Sequence, residues 1–114
     1  MSAITTHILD VSAGVPAGGV AVTLERQTSG GDWEIIGKGA TDDDGRLRDL
    51  LSSNADLQTG NYRLTFDTGN YFFDRQVDSF YPQVTVAFTV FSSREHYHVP
   101  LLLSPFGYST YRGS

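Results

Sequence analysis

A chain of 114 residues suits one domain around one core, and 39% hydrophobic with 18% charged residues is the balance of a folded chain rather than a disordered one. The absence of cysteine excludes a disulfide scaffold, a thiolate metal site and a cysteine nucleophile. A net charge of −5 without a Lys/Arg run excludes a binder of the nucleic-acid backbone, and no stretch approaches the ~20 consecutive apolar residues of a membrane span.

In chain order, short β-branched and aromatic runs alternate with Gly, Asp, Asn and Pro clusters, the signature of an all-β sandwich or barrel. ITTHILDV (4–11) is the first predicted strand, and SAGVPAGG (12–19) a loop. VAVTLERQ (20–27) sets Val20, Val22 and Leu24 on one face. TSGGD (28–32) is a turn signal that predicts a hairpin with WEIIGKGA (33–40). TDDDGR (41–46) is an acidic turn, followed by a short strand RLRDL (46–50). NYRLTFDT (61–68) alternates Tyr62, Leu64 and Phe66 against Arg63, Thr65 and Asp67. GNYFFDRQVDSF (69–80) breaks the period of two and fits one short helix. QVTVAFTVF (83–91) is the clearest strand, with Val84, Val86, Phe88 and Val90 toward the core. The closing segment divides at Ser104-Pro105 into HYHVPLLL and FGYSTYRGS. The sum is seven or eight strands and one short helix in a single domain, 1–114. No basic or apolar leader opens the chain, so a cytoplasmic location is expected.

Two features of the closing segment stand out. Leu101, Leu102 and Leu103 are consecutive, so alternation puts leucine on both faces of a strand, and the second face is expected to be covered by another subunit. Pro100 has no backbone N–H and is expected at a strand edge or bulge.

Candidate chemistry is sparse. His96 and His98 stand at i and i+2, which on a strand puts both rings on one face about 7 Å apart. Such a pair can bind a metal or divide acid and base work near neutral pH; an ordinary pair of half-buried histidines has the same spacing. His7 lies mid-strand, where a role is open to it but a satisfied core or interface histidine is the more ordinary reading. The three histidines together have the donor set of a three-histidine zinc site. Asp42-Asp43-Asp44-Gly45 lacks the alternation, the glycine at six and the glutamate at twelve of an EF-hand, so it reads as a solvated turn. Arg46, where that turn enters a strand, can offer a planar fork to an amide or carboxylate. No nucleophile elbow, P-loop or dinucleotide fingerprint is present.

The tail HYHVPLLLSPFGYSTYRGS (96–114) resembles the C-terminal signature of the 5-hydroxyisourate hydrolases, the transthyretin-related proteins. THILD (6–10), TDDDGR (41–46) and TGNYRLTFDTGNYF (59–72) resemble further motifs of the same family, so the resemblance runs nearly the whole chain. It implies an all-β, transthyretin-like sandwich of about eight strands with one short helix, assembled as a homotetramer, a dimer of dimers. It implies ring-opening hydrolysis of the cyclic amide 5-hydroxyisourate to 2-oxo-4-hydroxy-4-carboxy-5-ureidoimidazoline, with no metal or organic cofactor. Carried onto this chain, the catalytic positions are His7, Arg46, His96 and Ser114, and the substrate-binding positions His7, Arg46, His98 and Tyr111. His7 and His96 are expected to orient and deprotonate the water, base and acid are not assigned between them, and the role of His98 is open. Two other readings stay open beside this one: a non-catalytic carrier of a small aromatic ligand, and a zinc hydrolase using His7, His96 and His98.

Overall fold

The computed structural model describes residues 3–51 and 57–114. In chain order the elements are β1 (Ile4–Asp10), β2 (Val15–Pro16), β3 (Ala21–Gln27), β4 (Trp33–Ala40), β5 (Arg46–Leu47), β6 (Gly60–Phe66), α1 (Thr68–Asp74), β7 (Val84–Val90), β8 (Tyr97–Ser104) and β9 (Gly107–Thr110). They form two sheets. One runs β2-β1-β8-β9, with β5 also paired to β1; the other runs β4-β3-β6-β7.

The period of two decides which side chains meet between the sheets. Ile4 and Ile8 of β1, Tyr97, Val99, Leu101 and Leu103 of β8, Val22 and Leu24 of β3, and Tyr62, Leu64 and Phe66 of β6 are all buried in one core. Truncating a leucine in such a core costs about 2–5 kcal/mol. In β7, Val84 and Val90 are buried and Val86 and Phe88 pack against the core, while Thr85, Ala87 and Thr89 face out, as the alternation predicts.

The pairing that matters for function joins the two ends of the chain. β1 and β8 run parallel, from Ile4 beside Tyr97 to Asp10 beside Leu103. Thr5 therefore lies beside His98, His7 beside Pro100 and Leu9 beside Leu102. Leu101 and Leu103 fill the core while Leu102 is half-buried on the opposite face, so leucine does occupy both faces of this strand.

Three details differ from the sequence expectations. The loop at 12–19 contains a two-residue strand, β2, whose Val15 and Pro16 pair with Asp10 and Leu9. The strand expected at 46–50 ends at Leu47, because Arg48 and Asp49 turn out to solvent and Leu50 folds back into the core. Pro100 is neither at an edge nor in a bulge; it is buried within β8. The sheet tolerates it because its missing N–H faces a gap. The β8–β9 register carried forward from Leu101–Thr110 puts Tyr111 opposite Pro100, yet β9 stops at Thr110 and pairing resumes only as a bridge between His98 and Gly113. Thr110 Oγ1 donates to the Pro100 carbonyl at 2.7 Å instead. The proline thus ends the ladder and releases the chain end from regular pairing.

The helix expected within 69–80 is α1, capped by Asp67, whose carboxylate accepts from the Asn70 N–H. It buries Tyr71, whose hydroxyl donates to Asp10 Oδ2 at 2.9 Å. The Asp10 carboxylate also accepts from Ser12 N, Ser12 Oγ and Ala13 N. Burial alone pushes Asp10 up, but these hydrogen bonds outweigh it and hold the carboxyl below its ordinary range. Burial, with the bond to Asp10, pushes the Tyr71 hydroxyl up to about 12. The end of β1 is thereby fastened to α1.

Candidate active site

The DGR turn comes first, because it carries Arg46 to β1. The carboxylate of Asp42 accepts from the backbone N–H groups of Asp44 at 2.9 Å and Arg46 at 3.0 Å. The bond from Arg46 does most to hold Asp42 below its ordinary value, with desolvation opposing it. Gly45 has φ 76° and lies so close to the Ile8 carbonyl that a Cβ would collide with it, so only glycine lets the turn dock. The Ile8 N–H donates to the Gly45 carbonyl at 2.8 Å, and β5 sets Arg46 directly across from His7.

His7 Nε2 lies 2.9 Å from the Asp44 carbonyl oxygen. A carbonyl only accepts, so Nε2 is the donor and carries a proton. One turn of sequence therefore holds both Arg46 and the ring of His7.

Across the β1–β8 ladder, the Thr5 hydroxyl sits between two imidazoles. Its Oγ1 is 2.9 Å from His96 Nε2 and 2.8 Å from His98 Nδ1. The register explains this: Thr5 is level with His98, and His96 is two residues away on the same strand direction. His98 is half-buried, whereas His96 is exposed. Burial pushes His98 below the ordinary histidine value, and electrostatic repulsion from the neighbouring His7, His96 and Arg46 side chains pushes the same way. An imidazole that is unprotonated at rest can accept a proton.

The chain end closes this arrangement. The Gly113 N–H donates to the His98 carbonyl at 2.8 Å. The Arg112 guanidinium lies over the Tyr97 ring at 4.4 Å and is 3.6 Å from the Glu95 carboxylate. The result is a cleft of about 230 Å³ lined by Thr5, Thr6, Arg46, Arg48, His96, His98 and Ser114. It is smaller than the roughly 300–1,000 Å³ of drug-sized sites, a size suited to one small heterocycle.

Of the expected site residues, Arg46, His96, His98 and Ser114 line this cleft, and His7 adjoins it through its pairing with Arg46. Tyr111 does not. It lines a neighbouring apolar groove of about 300 Å³ with Val86, Phe88, Phe91 and Val99, and His98 borders both spaces. Thr5, Thr6 and Arg48 also line the cleft and were not among the expected residues. Nothing local marks Thr5, since its role depends on a strand that begins 92 positions later. Among the described residues no group of histidine, cysteine, aspartate and glutamate is arranged to hold a metal ion. One nitrogen of each histidine is instead engaged by the protein, His7 with the Asp44 carbonyl and His96 and His98 with the shared Thr5 hydroxyl.

Fold and cleft together define a transthyretin-type β-sandwich whose first and penultimate strands share a histidine–arginine site. The chain belongs to the HIUase/Transthyretin family, whose model matches residues 4–113. It is 48% identical over 111 residues to a 5-hydroxyisourate hydrolase of Salmonella dublin, covering 97% of this chain and 80% of that protein. Among solved structures, the 5-hydroxyisourate hydrolase of Klebsiella pneumoniae superposes with a TM-score of 0.84 at 37% identity, covering 97% of this chain and 92% of that one. Sea bream transthyretin in complex with thyroxine gives a TM-score of 0.91 at 33% identity, covering 98% and 95%. Since an enzyme and a protein bound to thyroxine share this backbone, the side chains of the cleft must decide between activities.

Proposed function

We propose that this protein hydrolyses 5-hydroxyisourate to 2-oxo-4-hydroxy-4-carboxy-5-ureidoimidazoline. The observation that carries the reading is the convergence of His96 and His98 on one hydroxyl, in a cleft with Arg46 and Ser114. In the reaction a water oxygen bonds to the amide carbonyl carbon, the ring C–N bond breaks, and the leaving nitrogen takes up a proton. The base must be unprotonated in the resting enzyme, and burial, which holds His98 below the ordinary histidine value, favours that state. The weight therefore moves to His98 as the base, with His96 as its partner. Arg46 holds the flat heterocycle through paired N–H donors and balances charge on the attacked oxygen. The proton that the histidine pair takes from water goes on to the leaving nitrogen, and His7, held through Nε2 by the Asp44 carbonyl, supports Arg46 at the edge of the cleft. Ser114 fixes the chain end at the cleft, and Tyr111 closes the site from the adjoining groove. No cofactor enters this chemistry.

A homotetramer, a dimer of dimers, and a cytoplasmic location belong to the same reading. Leu9 and Leu102 sit side by side on the outer face of the β1–β8 sheet, and Val11 and Val15 are exposed nearby. That apolar face supports cover by a second copy, which would also shield the open cleft from water.

The test is ultraviolet decay of freshly generated 5-hydroxyisourate, with the spontaneous reaction subtracted. Replacing His98 by Asn should lower kcat about 10²–10⁴-fold, the range of general acid–base catalysis. The acid limb of the wild-type profile should lie below about pH 6.5, because His98 stays neutral below the ordinary histidine value. A wild-type rate from His98→Asn would sink the assignment. An inactive wild-type chain that binds a small aromatic ligand in the Tyr111 groove would favour a carrier instead.

A further inference from the structure

We propose that Thr5 is a positioning residue that couples His98 to His96 as a proton relay. This rests on the hydrolase reading above for its catalytic use, though the coupling itself is a property of the three side chains.

A threonine hydroxyl has one proton to donate and lone pairs to accept. Thr5 Oγ1 is within hydrogen-bond distance of His96 Nε2 and His98 Nδ1 at once. The hydroxyl has a single proton, so it can donate to only one of the two nitrogens; when one ring offers a bare nitrogen, the other must bear a proton toward Oγ1. The hydroxyl is buried, at 4% exposure for the residue, so water does not readily replace either partner. The tautomers of the two histidines are therefore linked: a bare nitrogen facing Oγ1 on one ring requires a protonated one on the other.

The orientation used by the reaction follows from what a base needs. With His98 protonated at Nδ1 and donating to Thr5, its Nε2 lone pair is free for water. Thr5 then donates to His96 Nε2, and His96 carries its own proton on Nδ1. When His98 Nε2 takes a proton from water, its Nδ1 proton passes to Oγ1. The Oγ1 proton passes to His96 Nε2. His98 ends neutral with the proton on Nε2, Thr5 ends unchanged, and His96 becomes the imidazolium. The electron pair of the broken water O–H bond stays on the attacking hydroxide, so charge balances.

The relay moves positive charge from a poor place to a good one. His98 is half-buried beside Arg46 and His7, whereas His96 is exposed to water. Two neighbouring imidazoles repel only if both are charged; the hydroxyl keeps a single charge on the pair and lets the outer ring, His96, hold it.

Thr5→Val keeps the β-branched shape and strand propensity while removing the hydroxyl, and Thr5→Ser restores it. The expected result is a fall in kcat of tenfold or more for Thr5→Val with KM little changed, and recovery to within about threefold of wild type for Thr5→Ser. Nitrogen-15 NMR of the histidine rings, in the enzyme without substrate, should show His98 and His96 both protonated at Nδ1 in wild type. It should show that preference lost in Thr5→Val. Wild-type kcat in Thr5→Val, equal losses in the Val and Ser variants, or a wild-type His98 protonated at Nε2 would each overturn the relay. The NMR experiment reads the coupling whether or not the chain turns over 5-hydroxyisourate, so an inactive wild type would sink the hydrolase reading and leave the coupling decided separately.

Discussion

At the scale of single residues, this site depends on groups whose importance lies in what they exclude. Gly113 is the clearest case. A Cβ there would come within 2.6 Å of His98 Cδ2 and 3.1 Å of Pro100 Cγ. The tail can lie on the His98 ring only because position 113 has no side chain. Gly113→Ala should therefore push the chain end off His98 and lower kcat/KM by about tenfold, or ~1.4 kcal/mol of transition-state stabilisation. The thermal midpoint should stay within a few degrees, since Gly113 lies outside the buried core. Steady-state kinetics beside a melting curve checks both, and unchanged kinetics would refute it. His7 and Thr5 show the same economy: a carbonyl holds the ring of one, and a hydroxyl links the other two histidines. The HxH spacing was legible in the sequence, but the partner between the two rings was not. Residues 96 and 98 say nothing about which side chain of a distant strand will be level with them.

At the scale of elements, the end of β1 is fastened to α1 by a buried carboxylate and phenol. Removing the Tyr71 hydroxyl by Tyr71→Phe leaves Asp10 Oδ2 without that donor, at a cost of about 1–3 kcal/mol. The pH dependence follows from the direction of the Asp10 shift. Its folded carboxyl titrates below its unfolded value of about 3.9, so the stability it contributes is present above that value and is lost as pH falls through the folded one. Tyr71→Phe weakens the support and raises the folded value, so acid destabilisation should begin at a higher pH than in wild type. Melting curves between neutral pH and pH 3 measure both, and identical acid limbs would contradict the role given to this pair. The tail is governed by another element-scale device. Pro100 cannot donate to a partner, so the β8–β9 ladder stops there, and two residues later the chain returns to pair with His98 through Gly113. A proline expected to mark a strand edge is instead buried in the sheet and ends one pairing from within. Its fixed chemistry was visible in the sequence; the neighbour that it releases was not.

At the scale of the whole molecule, the β1–β8 sheet presents an apolar outer face around Leu9 and Leu102. Placing a charge there by Leu102→Glu leaves Leu101 and Leu103 in the core and so spares the fold. The expected outcome is dissociation of the proposed tetramer, seen by light scattering, together with loss of most hydrolase activity. A fully active monomer would show that the site does not need its neighbours. Fold alone does not separate the possible activities, since a hydrolase and a transthyretin in complex with thyroxine both match this backbone closely. The decision rests on the cleft.

The sequence by itself determined the all-β class, the core-facing alternation in β3, β6 and β7, the single short helix and the family motifs at both ends. These depend on side-chain periodicity, turn chemistry and short contiguous patterns, all of which are local. Only the tertiary structure decided that β1 and β8 run parallel side by side, that Thr5 stands between His96 and His98, and that Tyr111 lines the groove beside the cleft rather than the cleft itself. Those facts depend on strand order and register. Backbone hydrogen bonding favours pairing in general, and only burial of the whole core selects which two strands pair and where.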